Sequence, residues 1–281
     1  MALFVIDFST ERENEMRILF IGDIVGRPGR SALENRLSLI EEENQIDFTI
    51  ANAENASGGF GIDKRCFDQL HMSGIDAFTM GNHTFDNRGI LEFIDHEPKL
   101  VRPANLPKDA PGRGHAQFTL KDGRKLTIIN ILGRVYNNSN IACPFTTMDE
   151  LLHQYKMRDS AIIVDFHGDA TSEKVCLGRY LDGRVTAVLG THTHIQTADA
   201  RILPRGAGYI TDVGMTGAYQ SCLGMETEGA VGRFTKTLTK KLTPAKGERQ
   251  LNAVILEIDE ENKTQMIQRL FYIWPEENKF E

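Results

Sequence analysis

Three short segments far apart in the chain, Gly22-Asp23, Gly81-Asn82-His83 and Gly190-Thr191-His192-Thr193-His194, set carboxylate, amide and imidazole side chains directly behind apolar runs that read as buried strands. Glu54 and Asn55 follow Phe48-Thr49-Ile50-Ala51 in the same way, and His167 follows Ala161 to Phe166. Strands of an α/β sheet deliver their carboxyl-end loops to one edge, so donors distant in sequence can converge on one pair of ions. Oxygen and imidazole donors without thiolate favour iron, manganese or zinc over a soft-metal site. Open coordination positions leave room for water, which a divalent ion makes far more acidic than bulk water. The chemistry such a set supports is in-line attack of a metal-bound hydroxide on phosphorus.

The residue types suggest a division of labour. Glu54, a short acidic side chain in a loop, suits a carboxylate bridging two ions. Asp23 and His194 would serve one ion, and Asn82, His167 and His192 the other. His83 adjoins a candidate ligand, and imidazole titrates near neutral pH, so it is the expected general acid for the leaving-group oxygen. A lone histidine is more often a surface or satisfied polar residue, which sets aside His71, His96, His115 and His153. Two histidines at i and i+2 behind Val185 to Leu189, flanked by glycine, are a poor way to build a core and read as ligands. Asp23 alone reads equally as a turn former, and Glu54-Asn55 alone equally as a cap for the Gly58-Gly59-Phe60-Gly61 loop.

A net charge of −7 argues against a general grip on nucleic acid or anionic membrane, which rests on a basic stripe. The four cysteines, Cys66, Cys143, Cys176 and Cys222, form no Cys-x-x-Cys pair, so they read as buried or incidental thiols rather than a zinc ribbon or redox motif. No run approaches the ~20 apolar residues needed to cross a bilayer. The apolar start Ala2 to Ile6 lacks a basic n-region and turns acidic at once, unlike a secretory signal. A cytoplasmic protein is expected.

The elements that must position these residues alternate in type. From Arg17 onward apolar strands alternate with amphipathic stretches, favouring an α/β architecture. The spacing predicts a first helix from Ser31, capped by its hydroxyl and burying Leu33, Leu37 and Ile40. A second is predicted from Asp63 to Ser73, with Asp63 as cap and Gly74 as stop, and a third over Arg88 to Asp95. Gln117 to Leu120, a Lys121-Asp122-Gly123 turn and Leu126 to Leu132 read as a β-hairpin, so antiparallel strands join parallel ones. Helices return at about Thr147 to Lys156 and Ser172 to Leu181. After Gly217 the pattern is mostly β, with Ala253 to Ile258 the clearest strand. Residues 1–15 read as an extension outside the core, with Met16 a second candidate start, and 16–281 as one domain.

The motifs carry a likeness. Gly-Asn-His at 81–83, His167 and Gly-Thr-His-Thr-His at 190–194 resemble the calcineurin-like metallophosphoesterase superfamily in order and placement. Two departures, Asp23-Ile24-Val25 in place of Asp-x-His and Asn52-Ala53-Glu54-Asn55 in place of an aspartate motif, match its YmdB family of bacterial phosphodiesterases. That resemblance extends through Gly22 to Arg30, Val101-Arg102-Pro103-Ala104-Asn105, Thr171-Ser172-Glu173-Lys174 and Thr211-Asp212-Val213-Gly214-Met215. It implies two mixed β-sheets packed face to face with helices outside, iron or manganese, and an oligomeric cytoplasmic enzyme. It also implies Asp23, Glu54, Asn55 and His194 on one ion, Glu54, Asn82, His167 and His192 on the other, and His83 as catalytic. The family more usually reads Ala-Glu where this chain has Gly168-Asp169. Arg27 and Arg30 read as solvated, with a phosphate-facing role as the alternative, and Asp212 equally as an orienter of a ligand imidazole or a turn cap.

The expected activity is that of a dinuclear metal-dependent phosphodiesterase acting on cyclic nucleotides, with 2′,3′-cyclic AMP a candidate. Alternatives are a phosphomonoesterase or nuclease on the same metal core, and a regulatory protein that holds a nucleotide with little turnover.

Overall fold

The computed structural model describes residues 15–137, 140–154, 159–237 and 241–275. All but the last residue of the expected extension, and Tyr155 and Lys156 of the fourth expected helix, lie outside them. The chain runs β1 (Met16–Ile21), β2 (Asp23–Ile24), α1 (Gly26–Asn44), β3 (Phe48–Asn52), α2 (Lys64–Met72), β4 (Ala77–Thr79) and β5 (Leu100–Val101). It continues through β6 (His115–Thr119), β7 (Lys125–Leu132), α3 (Pro144–Gln154), β8 (Ala161–His167), α4 (Thr171–Leu181), β9 (Ala187–Thr191), β10 (Arg201–Ile202) and β11 (Gly208–Ile210). Last come β12 (Met215–Ala218), α5 (Thr227–Thr235), β13 (Arg249–Ile258) and β14 (Thr264–Trp274).

Two mixed sheets result. One has the order β2-β12-β13-β1-β3-β4-β5, with β14 beside β13, and the other β10-β11-β9-β8-β7-β6. Side chains alternate across a strand, and that period explains the layers. In β1, Ile18 and Phe20 face the opposing sheet, while Leu19 and Ile21 meet Leu33, Leu37 and Ile40 of α1. In β8, Ile163 joins the core between the sheets, and Ile162, Val164 and Phe166 pack with Leu177 and Leu181 of α4. Each such side chain contributes about 1.5–3 kcal/mol on burial. The product is a helix–sheet–sheet–helix sandwich.

Toward the carboxyl ends the face between the sheets turns polar. Ile50 is followed two residues on by Asn52, and Ile163 by Asp165 and then His167, all buried. Asn52 Nδ2 donates to Asp165 Oδ2 across the sheets at 2.9 Å. The parallel strands β1, β3 and β4 of one sheet and β8 and β9 of the other therefore bring their carboxyl ends to a common edge.

Several elements differ from the sequence reading. α1 begins at Gly26, not Ser31, whose hydroxyl instead donates to the Pro28 carbonyl at 3.2 Å. Pro28 sits in the first turn, where its missing N–H needs no partner. The third expected helix is one 3-10 stretch, Arg88–Glu92, which gives way to turns through His96 although Ile90, Phe93 and Ile94 are all buried. α5 was not expected; of its residues only Gly232 is buried, so no apolar stripe marked it. α2 agrees with its expected cap, Asp63 accepting from the Cys66 amide, and β6 and β7 form the expected hairpin. Of the four cysteines only Cys66 is buried. Among the described residues no helix is long and apolar enough to cross a membrane.

Candidate metal centre

Each candidate donor sits at the edge where the two sheets' carboxyl ends meet. Glu54 Oε1 lies 2.9 Å from His167 Nε2, with both side chains 1% exposed. Asn82 Oδ1 lies 3.1 Å from the same nitrogen, and His192 Nδ1 3.0 Å from it. Asp23, fully buried, accepts the His192 amide on Oδ2 at 3.1 Å, and its Oδ1 finds no hydrogen-bond partner. His194 Nε2 lies 3.2 Å from Asn55 Oδ1. Glu54, His167 and His192 offer donor atoms all within 4.8 Å of one another. The oxygen donors come from the first sheet and the nitrogen donors from the second.

The hydrogen-bond network shows that this cluster fits a cation. Thr191 Oγ1 donates to Asp165 Oδ1 at 2.6 Å, so its lone pair must accept from His167 Nδ1, 2.9 Å away. With its proton on Nδ1, neutral His167 turns the Nε2 lone pair toward the Glu54 carboxylate oxygen and the Asn82 amide oxygen, with His192 Nδ1, donor or acceptor by its tautomer, beside them. Acceptors facing acceptors in a buried site repel unless a positive charge lies among them. The orphaned Asp23 Oδ1 is a further acceptor of the same kind.

The titration of these groups follows from the same crowding. Burial opposes a charged His167, but Glu54, Asp23 and Asp165 outweigh it and raise its pKa to about 9. Burial raises Asp23 above the usual carboxylate range. Glu54 is held below that range because the His167 charge overcomes its burial. Burial and the adjacent His167 charge lower His192 to about 3. In the metal-free chain the extra proton on His167 thus supplies the positive charge that the acceptors demand.

Local geometry depends on close approach. A Cβ on Gly81 would stand 2.2 Å from Glu54 Oε2 and 2.5 Å from His167 Nε2, so only glycine lets β4 deliver Asn82 past these two side chains. A Cβ on Gly190 would meet the Thr211 carbonyl oxygen at 1.8 Å. Beyond it, His192 and His194 adopt positive φ, 106° and 65°, a region uncommon for residues other than glycine.

His83 lies apart from the acceptor cluster. Its amide donates to Glu54 Oε2 at 3.0 Å, and its Nδ1 pairs with Asp86 Oδ2 at 2.7 Å. The Phe60 ring meets it edge-on at 5.0 Å. It lines a cleft of about 350 Å³ with Asn82, Asp86, Tyr136, Asp169 and His192. Gly168-Asp169, the departure from the family pattern, therefore forms part of the cleft wall.

All eight residues singled out from the sequence meet at this edge. Asn55 has a second contact, donating to the Gly59 carbonyl at 2.9 Å, so it caps the glycine loop as well. Asp212 contacts no imidazole: it accepts from Lys174 and from the Thr193 and Gly214 amides. Arg30 is half-buried and tied to the Ala56 carbonyl and Gln69, whereas Arg27 is exposed.

Sequence reasoning missed the supports. Asp165, Thr191 and Asn52 lie beneath His167, and the Leu223 carbonyl, 3.0 Å from His194 Nδ1, leaves Nε2 free to serve as a donor. Such outer partners fix tautomer and ring orientation in metal sites. One signal was present: Asp165 is a charge inside an otherwise apolar strand, two residues before His167 and so on its face.

Comparison with known proteins agrees with this geometry. A protein of Bacillus subtilis (strain 168) named 2′,3′-cyclic-nucleotide 2′-phosphodiesterase is 47% identical over 248 residues, 88% of this chain and 93% of its own length. A crystal structure of a novel phosphatase from Mycoplasma pneumoniae superposes with a TM-score of 0.87 at 34% identity, covering 93% of this chain and 95% of that one. One of a hypothetical protein from Thermus thermophilus gives 0.86 at 38% identity, covering 93% and 100%. The model of the YmdB-like protein family matches residues 19–270, and the chain belongs to that family.

Proposed function

We propose that this protein hydrolyses phosphodiesters with two divalent cations, and that 2′,3′-cyclic nucleotides are its substrate class. The observation that carries the reading is the ring of acceptors around His167 Nε2, buried beside a cleft that His83 lines. The names of the relatives, phosphodiesterase and phosphatase, support a hydrolase of phosphoric esters.

In this reading Asp23, Glu54, Asn55 and His194 hold one ion, and Glu54, Asn82, His167 and His192 the other. Bound there, the ions supply a nucleophilic oxygen at neutral pH and positive charge opposite the phosphoryl oxygens. The donor set favours iron or manganese, with zinc also accommodated. Asp165 and Thr191 keep the His167 proton on Nδ1, so that Nε2 faces inward. Asp86 holds His83 by Nδ1, which leaves Nε2 to deliver a proton to the departing oxygen. With a 2′,3′-cyclic nucleotide, breaking the bond from phosphorus to O2′ leaves a 3′-monophosphate, and His83 protonates O2′. Charge then develops where donors are already in place. A homo-oligomer in the cytoplasm belongs to the same reading, and light scattering on the purified protein tests the assembly.

The deciding experiment is anaerobic purification with elemental analysis, followed by a panel of 2′,3′- and 3′,5′-cyclic nucleotides, a linear diester and monoesters. About two ions per chain and a preference for the 2′,3′-cyclic diesters are expected. Preference for monoesters or linear diesters would favour a phosphomonoesterase or nuclease, and stoichiometric nucleotide retention without product a binding protein.

A further inference from the structure

The first turn of α4 carries two adjacent charged residues that reach opposite parts of the centre. Lys174 is 1% exposed, and its Nζ donates to the Thr191 carbonyl at 2.7 Å and to Asp212 Oδ2 at 2.8 Å. The same Asp212 oxygen accepts the Thr193 amide at 2.9 Å. The pair therefore grips the backbone on both sides of His192. This is the stretch where His192 and His194 stand at positive φ, a conformation that persists only when its surroundings over-determine it.

Glu173, one residue earlier, turns the other way. Its two carboxylate oxygens accept the Arg134 and Val135 amides at 2.9 and 3.1 Å. Those residues begin the loop that forms one wall of the cleft and presents Tyr136, 82% exposed, at its rim. Consecutive residues on a helix point about 100° apart, so one turn can hold two loops that do not touch through it.

We propose that Glu173 and Lys174 are positioning residues with separate tasks: Lys174, through Asp212, holds the histidine loop in the geometry that receives metal, and Glu173 holds the wall against which substrate lies. The inference rests on the two-metal reading above. It assigns a physical purpose to the Thr171-Ser172-Glu173-Lys174 run, which the reaction itself leaves without one.

The test compares two variants with wild type by manganese titration calorimetry, thermal melting and steady-state kinetics at saturating manganese. Replacing Lys174 alone leaves Asp212 buried and unpaired, which endangers folding. The variant used is therefore Lys174→Met with Asp212→Asn, which removes both charges together. It is expected to fold and to bind manganese at least tenfold more weakly, with KM for 2′,3′-cyclic AMP within twofold of wild type. Glu173→Gln is expected to bind manganese as wild type does and to raise that KM severalfold. Wild-type manganese affinity in the double variant, or parallel effects of both variants on affinity and KM, would overturn the division. Wild type is measured first: if it binds neither manganese nor, under anaerobic conditions, ferrous iron, nor zinc, the two-metal reading fails, whereas a loaded wild type whose variants do not separate sinks this inference alone.

Discussion

Gly81→Ala adds one methyl group where the structure leaves no room for it. Its Cβ would lie 2.2 Å from Glu54 Oε2, about 1.2 Å short of ordinary contact at 3.4 Å, and 2.5 Å from His167 Nε2. Gly81 is absent from the positive-φ glycines, so alanine suits its backbone and the penalty is steric. The neighbours are a carboxylate and an imidazole held by hydrogen bonds, and either can yield only by leaving its place among the donors. Overpacking of this kind costs about 1–3 kcal/mol. If that falls on the metal-loaded arrangement, affinity weakens roughly five- to 150-fold at about 1.4 kcal/mol per tenfold. Displacement by about 1 Å costs turnover a further ~10²-fold. Manganese titration and kcat/KM on the 2′,3′-cyclic diester measure both, with Gly229→Ala as control because its Cβ comes no closer than 3.7 Å to a neighbour. Metal binding within twofold of wild type and activity within tenfold in Gly81→Ala would refute the reasoning.

His83→Ala is expected to retain both ions and lose about 10²–10⁴ in turnover, whereas Glu54→Ala loses metal; equal metal loss in elemental analysis would remove the separation of their roles. In the metal-free chain His167 has its pKa raised from 6.5 to about 9. A raised imidazole contributes stability that is complete below pH 6.5 and disappears as pH climbs through about 9, so the melting temperature of the metal-free protein falls across that window. An entering cation must displace this proton, so apparent affinity rises with pH by up to about tenfold per unit over the same range; flat affinity in buffered titrations would contradict it. A chain beginning at Met16, the first residue of β1 and 1% exposed, is expected to fold and keep its activity, and loss of soluble protein would count against it.

The gathering of the candidate donors at one edge was legible because each ends an apolar run, and such runs announce both a strand and its exit. Gly190 to His194 stood out without knowledge of tertiary contact, whereas Glu54-Asn55 alone read equally as a loop cap and Asn55 entered the ligand set only with the family resemblance. What held them was harder to read. The Leu223 carbonyl meets His194 across 29 residues and Thr191 meets Asp165 across 26, and a backbone carbonyl has no sequence signature. The start of α1 was misplaced because a serine hydroxyl suggested a cap at Ser31, whereas it turns back to the Pro28 carbonyl inside the helix. α5 was missed because a helix lying on the surface with one buried glycine has no periodic stripe to reveal it. The histidine conformations could not be foreseen, since positive φ at His192 and His194 is imposed by neighbours from α4 and β11 to β12.

If the site holds cations as proposed, oxygen donors on one sheet and nitrogen donors on the other would make the interior of the sandwich a tuning screw for ion preference. On the two-metal reading proposed above, a slide of the layers, caused by repacking the core between the sheets to which Phe20 and Ile128 belong, would shift the carboxylates and amides relative to the imidazoles together. Selection for a different metal could therefore act on greasy residues that never approach it.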